Sequence, residues 1–284
     1  MALHLAREGA RVVVNDLGGS VGGEGNDSAV AGEVVEEIKA GGGEAVASTD
    51  TVASWEGGHS IVQTALDHYG RVDILINNAG ILRDHFIYQM SEEEWDAVLD
   101  VHLMGSFYCT RAAAPFMRKQ GWGRILFITS TAGFIGTIGQ CNYGAAKMGM
   151  LGLSRSLAVE MQPHNVTSNC VAPFAWTRIP ASIPAVTDEI KESVDRLFKD
   201  MGPGDVSPLV VFLASEGAAG ITGQVFGVRG KEIYTYSQPR VSRSIHRQEG
   251  WTARDLAGVL EPTFKQHLTP LDNSITFFDW DALL

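Results

Sequence analysis

Tyr143-Gly-Ala-Ala-Lys147 places a phenol and an ammonium four residues apart, with Ser130 thirteen residues before the tyrosine. On a helix, residues at that spacing share a face one turn apart. A phenol titrates near ~10 in water, so at neutral pH it exchanges protons poorly. A nearby ammonium favours the phenolate and draws that pKa toward the working range. Ser130 closes the apolar, strand-like run Arg124-Ile-Leu-Phe-Ile-Thr-Ser130, where its hydroxyl can hold a substrate oxygen beside the tyrosine. Such a set suits proton transfer to or from an alcohol or a carbonyl. Tyr-x-x-x-Lys alone is a common helical coincidence, so the elements around it decide its meaning.

Those elements alternate between β-branched apolar runs and stretches of helical period, the pattern of a parallel sheet covered on both faces. The runs predict strands at Arg11–Asn15, Glu44–Ser48, Val72–Ile76, Arg124–Thr129, Val166–Val171 and Gln224–Val228. Helices are expected over Ser28–Ala40, Ser54–Tyr69, Glu92–Lys119 with a break near His102, and Asn142–Met161. Ser91-Glu-Glu-Glu94 reads as a capping box, which makes that acidic cluster structural. Pro173–Pro184, with its prolines, reads as a long loop beside the site. Past Gly230 the composition shifts: Lys231–Arg247 is polar and basic, Thr252-Ala-Arg-Asp255 can cap a short helix, and Ile275–Trp280 is apolar and aromatic. Residues 1–230 therefore read as a Rossmann-like α/β core and 231–284 as an extension docked on it.

Composition narrows the function classes. The 284 residues carry a formal charge of −11, which opposes a phosphate-tracking nucleic-acid binder and an anionic membrane surface. No apolar run approaches the roughly 18 residues of a membrane span. Cys109, Cys141 and Cys170 are scattered, and the histidines lack His-Glu-x-x-His spacing, so no metal site and no disulfide framework is expected. A charged start and the absence of a Ser-Lys-Leu ending lead to an expected cytoplasmic location.

Asn77-Asn78-Ala79-Gly80 after a strand, Ser130 at a strand end, Tyr143-x-x-x-Lys147 on a helix and Pro173 after the next strand occur in order and at fitting distances. Together they resemble the short-chain dehydrogenase/reductase family over roughly residues 1–230, with a doubly wound parallel sheet. Val14-Asn-Asp-Leu-Gly-Gly19, Asn77-Asn-Ala-Gly-Ile-Leu-Arg-Asp84, Val101-His-Leu-Met-Gly-Ser-Phe107 and Gly139-Gln-Cys-Asn-Tyr143 are similar, more narrowly, to the (3R)-hydroxyacyl-CoA dehydrogenase domain of peroxisomal multifunctional enzyme type 2 and its bacterial relatives.

The resemblance implies that Tyr143 is the general acid/base, that Lys147 lowers its pKa and binds the nicotinamide ribose, and that Ser130 bonds the substrate oxygen. It implies NAD as cofactor, with hydride passing directly between substrate carbon and nicotinamide. Asp16 then accepts from the adenosine ribose hydroxyls and repels a 2′-phosphate, although Asn15-Asp16 alone reads as an ordinary turn pair. Thr51 and Val52 match adenine-contacting positions. Asn78, Ala79 and Gly80 lie by their backbone beside the cofactor, and Ala175, Trp176, Thr177 and Arg178 match the segment meeting nicotinamide and diphosphate. Two departures stand out: His102 occupies the position of a catalytic asparagine in many relatives, and Phe174 that of a glycine after Pro173.

A larger departure lies in front. Relatives begin with a strand, a glycine-rich phosphate loop and a helix, and Met1–Gly9 aligns only with the end of that helix. The sequence thus predicts that this start is internal, that the central first strand and phosphate loop are missing, and that the strands Arg11–Asn15 and Val72–Ile76 flank an open apolar slot with unpaired edges. A second parse takes Gly18–Gly25 as the phosphate loop and Asp50 as the ribose acid; the loop's length and its lack of Gly-x-Gly-x-x-Gly disfavour it.

The expected activity is NAD-dependent interconversion of a secondary alcohol and a ketone, on a (3R)-hydroxyacyl-CoA or a bulky hydroxy compound such as a steroid. A CoA substrate would need local basic groups, for which Arg83, Lys231, Arg240 and Arg243 are candidates. The alternatives are 3-oxoacyl-carrier-protein reduction and, in another class, a fold-bearing subunit without catalysis. The resemblance also implies a homo-oligomer.

Overall fold

The computed structural model describes residues 1–175, 201–274 and 277–278. All six expected strands form: β1 (Val12–Asn15), β2 (Ala45–Ser48), β3 (Ile74–Asn77), β4 (Gly123–Ile128), β5 (Val166–Phe174) and β6 (Val225–Arg229). Each of β1 to β5 leads toward a helix across the sheet, so neighbours run parallel. A further short strand, β7 (Glu232–Thr235), opens the C-terminal extension and pairs antiparallel with β6.

The strands do not make one sheet. β1 and β2 form a two-stranded sheet, and β3-β4-β5-β6-β7 form a five-stranded one. β1 and β3 share no ladder, as the sequence anticipates. Val12, Ile74 and Ile76 line the break, and Met1 and, from helix α1 (Ala2–Arg7), Leu5 pack into the same apolar cluster. Six residues are too few to hold a helix alone; buried Leu5 and Ala6 anchor this one by tertiary contact.

Helix starts follow local chemistry. Ser54 caps α3 (Trp55–Tyr69) by accepting from Gly57 N, and Gly70 ends it in the left-handed region at φ 73°. Ser91 and Glu94 close the expected capping box of α4 (Glu92–Leu99). The break expected near His102 is a π-helical turn, Asp100–Met104, before α5 (Gly105–Gln120); one wide turn of this kind redirects side chains without ending the helix. α6 (Cys141–Met161) covers the sheet with buried Ala146, Met150, Leu157 and Met161. Met150, Leu157 and Met161 share a cluster with Ile125 and Phe127 of β4 and Val166 and Cys170 of β5, while Ala146 packs with Ile81 and Val98. The extension returns to the core through Ser274, whose N–H donates to Gly136 O at 2.8 Å, and Phe278, edge-on to Phe174 at 4.9 Å.

Candidate active site

β4 carries Ser130 just past its end, and α6 carries Tyr143 and Lys147 on adjoining turns. The two elements are locked together. Thr129 Oγ1 donates to Lys147 O (2.9 Å), and a Cβ on Gly133 would lie 2.8 Å from Met148 N. Only glycine lets the Ser130–Gly133 turn lie this close to α6. Ser130 also caps that turn, accepting from Ala132 N at 3.2 Å, and its hydroxyl bonds the Tyr143 phenol. The predicted trio is thus brought together.

The electrostatics differ from the expectation. Burial pushes the Tyr143 phenol up to about 12; the Ser130 hydrogen bond opposes this and the Asp84 carboxylate adds to it. Lys147 does not draw the phenol toward neutrality here. Its own pKa falls to about 7 because burial disfavours the ammonium. Nζ donates to Ile128 O at 2.6 Å and sits 5.4 Å from the tyrosine ring centroid. Desolvation is the largest influence on both groups. The free site therefore holds a protonated phenol, set to donate to a carbonyl oxygen.

His102 is buried beside this pair, its ring edge-on to Tyr143 at 5.1 Å. Nε2 lies 3.1 Å from Ile81 N and 2.8 Å from Ile81 O, so its tautomer decides which bond forms. Burial, and then the Lys147 charge, hold the imidazole well below its usual value, hence neutral. A Cβ on Gly80 would meet the ring at 2.3 Å. His102 thus packs the Asn78–Gly80 segment against the π turn.

Asn142, Asp84 and Gln140 are the positioning groups that sequence reasoning passed over. Asn142 is fully buried, and its Nδ2 donates to Arg83 O (2.9 Å) and Glu94 O (3.2 Å). Gln140 Nε2 donates to Asp84 Oδ2 at 2.7 Å, and His85 and Gln140 form a parallel bridge. Residues 83–85 therefore lie along the start of α6. The available signal was a polar Gln-Cys-Asn run opening an otherwise apolar helix.

At the other end of the site, Asp16 follows β1. Its Oδ1 accepts from Gly18 N at 2.7 Å, the turn that the residue pair alone predicts. Its other oxygen has no partner among the described residues, which leaves it for ribose hydroxyls. Asp50 Oδ2 accepts from the Ser48 and Ser60 hydroxyls (3.1 and 2.8 Å), which ties this carboxylate to the end of β2 and to α3. Thr51 Oγ1 accepts from Ala53 N (3.1 Å), and Val52 packs on Gly105, where a Cβ would approach to 2.9 Å. Asn78 and Ala79 are exposed past β3, with Gly80 partly so. Ala175 is buried in the core, whereas Trp176, Thr177 and Arg178 lie outside the described residues. Phe174 is buried among Met201 and Phe278.

The residues present fit a nicotinamide dinucleotide at its two ends. Lys147 has one acceptor among the described residues and two donors to spare for ribose hydroxyls, and Asp16 has a carboxylate oxygen to spare. Asn78–Gly80 offers a lip between them. The glycine-rich segment Gly18–Gly25 does not make a tight phosphate turn into α2 (Ala29–Ala40); it doubles back toward Ile81. Among the described residues no other loop supplies that cradle.

A parallel-dominated α/β scaffold carrying Ser, Tyr and Lys at one strand end, with an acid past another, defines a dinucleotide-type oxidoreductase. The chain belongs to the short-chain dehydrogenase/reductase family: the short chain dehydrogenase family model matches residues 1–179. A short-chain type dehydrogenase/reductase of Mycobacterium tuberculosis is 46% identical over 232 residues, 82% of this chain and 78% of that protein. Peroxisomal multifunctional enzyme type 2 of Drosophila melanogaster is 43% identical over 240 residues, 81% of this chain but only 38% of that longer protein. A short chain dehydrogenase from Mycobacterium avium superposes with a TM-score of 0.82 at 40% identity, covering 96% of this chain and 92% of that one. The protein is an oxidoreductase, and its family generally uses NAD or NADP.

Proposed function

We propose that this protein is an NAD-dependent dehydrogenase interconverting a secondary alcohol and a ketone, with (3R)-hydroxyacyl-CoA esters as the first substrate class. The observation that carries this reading is the Ser130–Tyr143–Lys147 trio, with Lys147 buried, beside the Asn78–Gly80 lip. Tyr143 gives its proton to the ketone oxygen or takes it from the alcohol, and Ser130 bonds that oxygen. Lys147 holds the nicotinamide ribose. The bound nicotinamide supplies the hydride chemistry, while this chain supplies orientation and proton transfer. Asp16 supports NAD over NADP, since its carboxylate would repel a 2′-phosphate.

A large apolar substrate portion is supported by Phe86, Ile87, Tyr88 and Ile138, all exposed around the His85–Gln140 bridge that leads into Tyr143. Relatives named as a hydroxyacyl-CoA dehydrogenase and as a 3-oxoacyl-[acyl-carrier-protein] reductase keep both thioester classes in view. The second usually draws on NADPH, which Asp16 opposes. Arg83 is already committed to Gly22 O at 2.9 Å, so exposed Lys231, Arg240 and Arg243 are the better candidates for CoA phosphates.

The test is a turnover screen of 3-hydroxyacyl-CoA esters and hydroxysteroids with NAD and with NADP. The expected result is NAD-dependent oxidation of the thioesters. Turnover confined to carrier-protein thioesters with NADPH would replace this reading with the reductase one. A folded chain with no dinucleotide affinity and no turnover would sink both.

A further inference from the structure

The connection from β1 to α2 is far longer than the roughly two to six residues usual between a strand and its helix. It is nonetheless closed on itself. Asp27 N donates to Leu17 O (3.1 Å), Ser20 N to Glu24 O (2.8 Å) and Gly23 N to Ser20 O (3.0 Å). Gly18 has φ 76°, and a Cβ there would lie 2.1 Å from Asp27 O, so the neck of the loop admits glycine alone. A loop with joined ends and internal hydrogen bonds behaves as a compact body rather than a slack linker.

Its tip is seated on the segment after β3. Leu82 N donates to Val21 O (2.9 Å), Arg83 Nε donates to Gly22 O (2.9 Å), and Gly23 packs on Ile81, which a Cβ would approach to 3.1 Å. The neck begins at Asp16 through the Gly18 N–H. The seat continues into the active site, because Arg83 O accepts from Asn142, the neighbour of Tyr143. The loop therefore ties the β1 end of the cleft to the Tyr143 end, across a break where the two sheets share no ladder. In open α/β sheets, dinucleotides lie over these C-terminal strand ends.

We propose that loop 17–27 is a clasp and Arg83 its positioning residue: by holding Gly22, Arg83 fixes the spacing between Asp16 and Tyr143 that a dinucleotide must span. The inference rests on the dinucleotide reading given above. Nothing in the Ser130–Tyr143–Lys147 trio depends on the clasp directly, so its loss separates binding from chemistry.

The test uses the full chain with NAD as probe. Arg83→Leu is expected to raise the NAD Kd and KM about tenfold, the loss of one charge-assisted hydrogen bond, with a much smaller change in kcat. Arg83→Lys, which keeps a donor, is expected to recover most of that loss. In the free protein, hydrogen exchange at the Leu82 amide should quicken in Arg83→Leu. Gly23→Ala, with φ 83° and Ile81 in its path, should repeat both effects should the arginine variant fold poorly. A Leu82 amide that stays protected in Arg83→Leu, or a wild-type NAD Kd in both variants, overturns the clasp alone. Absence of saturable NAD binding by the wild-type chain overturns the dinucleotide reading and the clasp's role together.

Discussion

The two halves of the cleft are built to different standards. Around Tyr143, every residue of β4 and all of β5 except Pro173 is buried, and α6 packs along both. Around Asp16, every residue of β1 is partly exposed, as are Ile74, Leu75 and Ile76 of β3, and the facing edges are unpaired. A strand paired on both sides satisfies its backbone polar groups and buries both faces, whereas an edge strand does neither. Rigidity therefore sits around Tyr143, the proposed site of proton transfer. Around Asp16, hydrogen-bonded loops take over the work of a sheet.

Four predictions, made with five substitutions, probe this contrast. The largest effect is expected from Tyr143→Phe, which removes the proton donor and should cut turnover by roughly 10²–10⁴-fold while NAD affinity by fluorescence titration changes little; near-wild-type rates would remove Tyr143 from the chemistry. Next, Phe127→Ala in β4 should cost about 3–5 kcal/mol in urea unfolding, against about 1 kcal/mol for Val14→Ala in half-exposed β1. Equal losses would erase the difference between the halves.

The third concerns Lys147, whose pKa in the fold is about 7 against an ordinary 10.5. Between those values the unfolded chain binds the proton more tightly, so this group makes stability rise with pH. The cost of burying the ammonium is fully present below about pH 7 and relieved toward 10.5. The limiting slope is about 1.4 kcal/mol per pH unit, and Lys147→Met should flatten the rise between pH 7 and 9 in denaturant melts; an unchanged rise would assign it to other groups. Smallest is Asp16→Ala, expected to narrow the NAD/NADP preference by about tenfold. An unchanged ratio would leave Asp16 as the turn residue that its bond to Gly18 already makes it.

Much of this was legible in the chain. Strand positions followed from β-branched runs because each lies within a buried or half-buried ladder. The Ser91 capping box and the Thr252 helix cap appeared as read, since a cap is a bond between residues three apart. The break near His102 was visible, but not its π form. That form depends on which carbonyl each N–H finds, and hence on His102 packing against Gly80 and Ile81. The sign of the Tyr143 shift was misjudged from the motif. Spacing reports the lysine's nearness, while burial comes from β4, β5 and the Ser130 turn.

The residue order alone determined the scaffold class and the places of Ser130, Tyr143, Lys147 and an acid past β1, because these rest on periodicity and spacing, while the roles proposed for them come from the family resemblance. Tertiary structure decided the rest: that the phenol stays protonated in the free site, that Asn142 and Gln140 hold Arg83 and Asp84 against α6, and that a glycine-rich loop with no recognisable motif bridges the cleft. Each of these arises from groups distant in sequence meeting in a low-dielectric or tightly packed place, and no local pattern encodes that meeting.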